Sequence, residues 1–252
     1  MTEHVPTDRW RLLRSGACAP ADNMAIDEAL LLCDGPPTLR LYRWNPHGVS
    51  LGYFQNSSQF DLPRFAREGV PVVRRLTGGG AIFHGDEVTF SIAAPVAHPL
   101  FAGAVRESYD RVHHILAAAL EACGAREVVP RGDAPLLSEV LQSPWCFHES
   151  TAFDLVAARR KLVGSAQRRT GGRVLHHGSL VLRANRYTPE VASLESLGGT
   201  ADALRLEEAL IESFGRALDA PLELGMLSPQ EQSEAARLAS EKYSSKEWTF
   251  RR

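Results

Sequence analysis

The residue types able to do chemistry in this sequence are a thiol, an amine and a run of glycines. Of the four cysteines, Cys18, Cys33, Cys123 and Cys146, none forms a Cys-x-x-Cys pair, so they read as separate thiols and not as a zinc site or a disulfide framework. Cys33 and Cys123 recur at helical spacing with apolar residues, the pattern of packed thiols. Cys146 stands between Trp145 and Phe147 in a stretch without any period. There a thiol with access and a neighbouring cation is a nucleophile, and without them it is one more packed side chain. Lys161 heads the apolar run Lys161–Gln167, where its ammonium is either drawn into a cleft or left as a solvated surface charge. Gly78, Gly79 and Gly80 follow Arg74-Arg75-Leu76-Thr77 and give up side-chain packing, either for close backbone approach or as a flexible turn. They fit neither a Walker loop nor a dinucleotide fingerprint. His176 and His177 are adjacent on an expected strand and point to opposite faces, so no metal site is expected of them.

These groups need a scaffold. Ile26, Ala29, Leu30 and Cys33 share a helical face after Asp22 and Asn23, which are expected to cap, and Gly35-Pro36-Pro37 ends that helix. Thr38 to Trp44 and Val49 to Phe54 read as a hairpin about Asn45-Pro46-His47-Gly48. A short helix from Asp61 to Glu68 closes on Gly69. Strands follow at 70–75, 81–84 and 88–94, then a helix from Arg106 to Cys123. The stretch 130–149 is the longest expected loop. Lys161 to Arg169 and Arg173 to Leu182 form a hairpin about Thr170-Gly171-Gly172, and helices span 203–218 and start at Ser228-Pro229 with a capping box. No linker or repeat divides the chain, so residues 1–252 are expected to form a single α+β domain with a mixed, largely antiparallel sheet and flanking helices.

Composition narrows the function less. A hydrophobic fraction of 44% and a charged fraction of 23% are those of an ordinary globular protein, and a net charge of −2 gives no basic excess for nucleic acid. Residues 1–10 carry Glu3, His4, Asp8 and Arg9 and have neither a signal-peptide core nor a membrane span, so a cytoplasmic location is expected.

Arg74 to His84, Lys161 to Gln167 and His177-Gly178-Ser179, taken together, resemble the lipoate-ligase and octanoyltransferase superfamily, related in fold to the biotin protein ligases. Asn23 to Ala29, Trp44-Asn45-Pro46, Ser50 to Gln55 and Tyr243 to Trp248 also look like family segments in the expected order, so the resemblance runs nearly end to end. Within it, Cys146-Phe147 is similar to the Cys-Phe pair of the cysteine-dependent octanoyltransferases. That branch often has arginine where this chain has Gly80, and the all-glycine form resembles ATP-dependent lipoate ligases. A ligase forms an acyl adenylate and needs no thiol, and His84 to Ser91 looks more like the transferase form.

The resemblance implies octanoyl transfer from acyl carrier protein to a lysine of a lipoyl domain, such as the glycine-cleavage H protein, in lipoate biosynthesis without ATP, metal or other cofactor. It implies Cys146 as nucleophile and Lys161 as the lysine near the acyl carbonyl. It implies an acyl pocket from Arg75, Thr77, Gly78, Gly79, Gly80, His84, Gly164, Ser165, Ala166, His177 and Gly178. An ATP-dependent ligase, an octanoyl amidotransferase between lipoyl domains and a non-catalytic acyl-carrier binding module are the competing readings. Arg159-Arg160 and Arg168-Arg169 are either solvated strand charges or guides for acidic carrier domains.

Overall fold

A computed structural model of the protein describes residues 9–133, 135–139, 143–148 and 151–252. The polar segment 1–8 and residues 134, 140–142 and 149 of the expected long loop lie outside the described residues. Eight strands form the main sheet: β1 (Trp10–Cys18), β2 (Thr38–Trp44), β6 (Glu87–Pro95), β7 (Val129–Pro130), β8 (Leu155–Ala157), β9 (Arg160–Thr170), β10 (Arg173–Val181) and β11 (Leu222–Leu224). Their order is β11-β1-β2-β6-β10-β9-β8-β7. The β1 pairings with β11 and β2 are parallel and all the others antiparallel, the mixed sheet expected. A second sheet has the order β4-β3-β5, from β3 (Gly48–Leu51), β4 (Val72–Arg74) and β5 (Ile82–His84), with the short helix α2 (Leu62–Arg67) between β3 and β4.

Strand alternation sorts the side chains of the main sheet. Leu39 and Leu41 of β2 and Val88, Phe90 and Ile92 of β6 bury against Val112 and Leu116 of α3 (Val105–Ala122) and Leu206, Leu210 and Phe214 of α4 (Ala203–Leu218). The intervening residues Arg40, Tyr42, Thr89, Ser91 and His177 are polar yet equally buried. They face α1 (Pro20–Leu32), which α5 (Pro229–Leu238) covers in turn. A polar sheet face is thus roofed by a helix, so its polar groups depend on partners inside the protein.

The sequence expectations are corrected in three places. α1 begins at Pro20 with Ala19 as its cap, and Asn23 is no cap: its amide donates to Cys18 O and Arg43 O inside the protein. β2 and β3 do not pair, because β1 and β6 occupy both edges of β2 and send β3 to the second sheet, where it ends at Leu51. β1, β7, β8, β11 and the short α6 (Lys246–Thr249) were not anticipated. The β9–β10 hairpin turns as expected, with Gly171 and Gly172 at φ +54° and +75°. Among the described residues no helix is long and apolar enough to cross a membrane.

His176, on the α3 side of β10, is fully buried, with Gln167 Nε2 2.9 Å from its Nδ1. Burial, with the charges of His113, His177 and Arg169 adding to it, pushes this imidazole well below its ordinary value, and burial also lowers His84 and His113. In the unfolded chain these rings titrate near 6.5. Below that pH unfolding takes up protons, so their contribution to stability is complete above about 6.5 and is lost as pH falls. The unfolding free energy should therefore drop between pH 7.5 and 5.5, by at most about 1.4 kcal/mol per pH unit for each fully buried ring, and the urea midpoint with it. His176→Leu should flatten the dependence, and an unchanged midpoint down to pH 5.5 would disprove this account.

Candidate functional site

Cys146 is carried by a segment stapled to the second sheet. Its N–H donates to Ala81 O at 2.7 Å, Ala81 N–H donates to Pro144 O at 3.0 Å, and Gln55 Nε2 donates to the same Pro144 O at 2.8 Å. Trp145 anchors the segment among Phe60, Phe65 and Tyr187. The thiol is therefore not the exposed loop cysteine that its position suggested. It is 9% exposed and forms part of a pocket wall. The other two buried thiols, Cys33 and Cys123, are pushed up by burial and line no part of that pocket.

Lys161 comes from the opposite sheet. Its Nζ lies 3.5 Å from Cys146 Sγ and donates to Cys146 O at 3.1 Å and to Asp154 Oδ2 at 3.0 Å. Both members of that ion pair are 4% exposed. The β8–β9 turn, with Ala158 and Arg159 at φ +48° and +58°, folds Asp154 back beside the lysine. Burial alone would lower the ammonium, but Cys146 and Asp154 outweigh it, so Lys161 is held above the ordinary lysine range.

Arg75 shapes the glycine run from beneath. One end of its guanidinium donates to Ser50 O and Oγ at 3.1 and 3.2 Å, and the other to Gly78 O and Gly80 O, both at 2.7 Å. Close approach, not flexibility, explains two glycines nearby. A Cβ on Gly52 would stand 1.8 Å from Gly79 O, and one on Gly80 would stand 2.7 Å from Cys146 N and 2.9 Å from Pro144 O. The Gly80 position thus has no room for a side chain while the Cys146 segment is seated. Gly80→Ala should cost about 1–3 kcal/mol and displace the thiol, whereas Gly78→Ala, with only Phe54 Cδ2 at 4.0 Å, should leave the melting temperature nearly unchanged. Equal melting temperatures for the two variants would contradict this.

Two buried imidazoles complete the walls. His177 Nδ1 lies 3.0 Å from Asp27 Oδ2 and its Nε2 lies 2.6 Å from Thr77 Oγ1, so the carboxylate fixes the Nδ1–H tautomer and the other nitrogen accepts from Thr77. Burial alone would raise Asp27, but His177 and Arg40 reverse this and hold its carboxyl below the usual range. His84 stacks 3.7 Å from Trp44, with Glu87 Oε1 2.6 Å from its Nδ1 and Ser50 Oγ 2.7 Å from its Nε2.

The pocket between these walls encloses about 390 Å³ including its open mouth. Arg75, Gly78, Gly79, His84, Cys146, Gly164, Ser165, Ala166, His177 and Gly178 all line it. Gly80, Thr77 and Lys161 stand behind the lining, each against a residue that forms it. Sequence reasoning missed most of the apolar part, Met24, Tyr42 and Trp44, and the two carboxylates Asp27 and Asp154. It also missed Ser179, which lines the pocket and whose buried Oγ has no hydrogen-bond partner among the described residues. Among the described residues no group of three or more His, Cys, Asp or Glu is arranged to hold a metal. Of the basic clusters, Arg169 turns inward to Phe101 O and Ser108 Oγ, while Arg168 stays exposed.

Residues 19–217 match the family model of the lipoyl protein ligase A/B catalytic domain. The chain is 38% identical to the octanoyltransferase LipM of Moorella thermoacetica over 98% of this chain and 100% of that one. It is 37% identical to the LipM of Kyrpidia tusciae over 96% and 99%. Its fold is similar to that of the Thermoplasma acidophilum protein Ta0514 with bound lipoic acid, at a TM-score of 0.83 and 23% identity over 97% of this chain and 100% of that one. A pocket walled by glycines and buried histidines, on a mixed sheet of this topology, with these sequence relatives, places the chain in the lipoyl protein ligase A/B catalytic-domain family, alongside the LipM octanoyltransferases.

Proposed function

We propose that this chain is an octanoyltransferase of lipoate biosynthesis that moves octanoyl from acyl carrier protein to a lipoyl-domain lysine, such as that of the glycine-cleavage H protein, through a thioester on Cys146. The observation that carries the proposal is the 3.5 Å approach of Lys161 Nζ to Cys146 Sγ at the wall of a partly apolar pocket. The Cys146 thiolate attacks the carbonyl carbon of the donor thioester, and the carbonyl oxygen gains the negative charge. Lys161 then shifts the hydrogen bond it gave to sulfur onto that oxygen, since the sulfur has lost its charge to the new S–C bond. The Cys146 N–H is already held by Ala81 O and takes no part. Collapse breaks the donor's C–S bond, and the carrier leaves as a thiolate that takes up a proton. The neutral amine of the acceptor lysine then attacks the acyl-enzyme, an amide forms, the amine proton is released and the Cys146 thiolate leaves. No ATP or other cofactor enters either step.

The octanoyl tail would lie along Met24, Tyr42, Trp44 and Ile82, where each buried methylene is worth about 0.8 kcal/mol, enough for modest discrimination of chain length. The whole chain would act as one catalytic domain, since β1 and β11 from its two ends pair in the main sheet. Intact-mass analysis after mixing the protein with octanoyl-acyl carrier protein and no ATP should show one octanoyl adduct, removed by neutral hydroxylamine and absent in Cys146→Ser. Product formed from free octanoate with ATP, and none from the carrier thioester, would refute the proposal in favour of a ligase.

A further inference from the structure

The outer rim of the pocket carries an exposed aromatic and basic cluster with no role in the chemistry above. Phe54 is 65% exposed, and its ring approaches the pocket-lining Gly78. The Arg251 guanidinium lies 3.9 Å from the Tyr53 ring centroid and its Nη2 donates to Tyr53 O at 3.0 Å. Arg168 sits 5.5 Å from the same ring, two residues beyond the pocket-lining Ala166 on the same face of β9. Arg252 sits 5.7 Å from the Phe54 ring. All three arginines are exposed, and among the described residues none is in an ion pair. Exposed arginines elsewhere are mixed: Arg64, Arg183, Arg186 and Arg237 are paired with carboxylates, whereas Arg67, Arg126, Arg205 and Arg216 are in no ion pair among the described residues. What sets this rim apart is that three such cations gather around two neighbouring aromatic rings at the mouth of one pocket, in a chain of net charge −2.

We propose that Phe54, Tyr53, Arg168, Arg251 and Arg252 form the docking surface for the acceptor lipoyl domain, reading acidic residues beside its target lysine. This rests on the transferase reading. A lysine side chain reaches only about 6 Å from its Cα through five bonds of roughly 1.5 Å, so the body of the acceptor must press on the rim itself. A donor acyl group arrives on a long flexible arm and needs no such contact. The acceptor also brings a cation toward a site that already holds Lys161 and Arg75. Net attraction then requires negative charge flanking that lysine, which the three arginines complement.

The test separates the half-reactions. Enzyme preloaded with octanoyl is discharged in single turnover by unmodified glycine-cleavage H protein or by hydroxylamine, for the parent, the Arg168→Glu/Arg251→Glu variant and Phe54→Ser. The charge-reversed protein should lose at least about tenfold in discharge rate constant to H protein, and the gap should close in about 0.5 M salt, where screening is within a few Å. Phe54→Ser should lose discharge to H protein with little salt dependence. Hydroxylamine discharge and loading from octanoyl-acyl carrier protein should stay within about twofold of the parent. Slower loading with unchanged discharge would give the surface to the donor and overturn the proposal. So would equal loss with hydroxylamine, or no change in any variant. Calorimetric titration of unmodified H protein into unloaded parent and charge-reversed protein reads docking without acyl chemistry, so loss of binding in the variant supports the surface even if no acyl-enzyme forms.

Discussion

Cys146→Ser should reduce octanoyl transfer by at least about a thousandfold while changing stability by no more than about 1 kcal/mol. The segment that carries the residue is held by backbone hydrogen bonds to Ala81 and by the packing of Trp145, neither of which involves the sulfur. Cys33→Ser and Cys123→Ser place a hydroxyl at positions 4% and 3% exposed, away from the pocket, and should instead lower stability by about 1–3 kcal/mol with transfer retained. Side-by-side melting curves and initial rates for the three variants check this. Full activity in Cys146→Ser, or equal inactivation of all three, would remove the proposed nucleophile.

Lys161→Ala should affect both quantities. Loss of one donor to the acyl oxygen costs about 10²–10³ in turnover, and removing the cation beside a buried carboxylate costs about 3–5 kcal/mol. The second effect should be relieved in Lys161→Ala/Asp154→Ala, because the exposed penalty belongs to Asp154, but turnover should not return. Alkylation at neutral pH by iodoacetamide should slow in Lys161→Ala and be partly restored in Lys161→Arg, which keeps the charge and loses the compact ammonium. If the double variant regains turnover along with stability, Lys161 is structural and its place in the reaction is withdrawn.

The sequence displayed the groups proposed to react better than what holds them. The thiol in an aperiodic stretch, the amine at the head of an apolar strand and the glycine run are visible as residue types, and β9, β10, α3 and α4 follow from period and punctuation. Asp154 was invisible because the β8–β9 turn runs through Ala158 and Arg159, which lack the Asn-Gly chemistry that advertises a hairpin. Asp27 and Arg40 were invisible for another reason. The alternation of β2 makes Arg40 read as part of an outward polar face, and only the roof of α1, which carries Asp27, makes that face an interior, with both side chains 0% exposed. The β2–β3 error has the same origin, since a turn signal says where the chain reverses and not which neighbour already fills an edge.

The distance along the chain between the groups that build the pocket sets when it comes into being. Asp27 meets His177 across 150 residues and Gln55 meets Pro144 across 89. Loops of that size close late, so assembly waits on the slow, non-local part of folding. During synthesis Cys146 leaves the ribosome before Lys161 and β10, and in that interval it is an ordinary thiol with no ammonium fixed beside it. Fast alkylation during refolding should thus emerge with the last strand pairing and not with the first helices. The nascent chain would thus stay chemically quiet until the walls proposed to hold its substrate are in place.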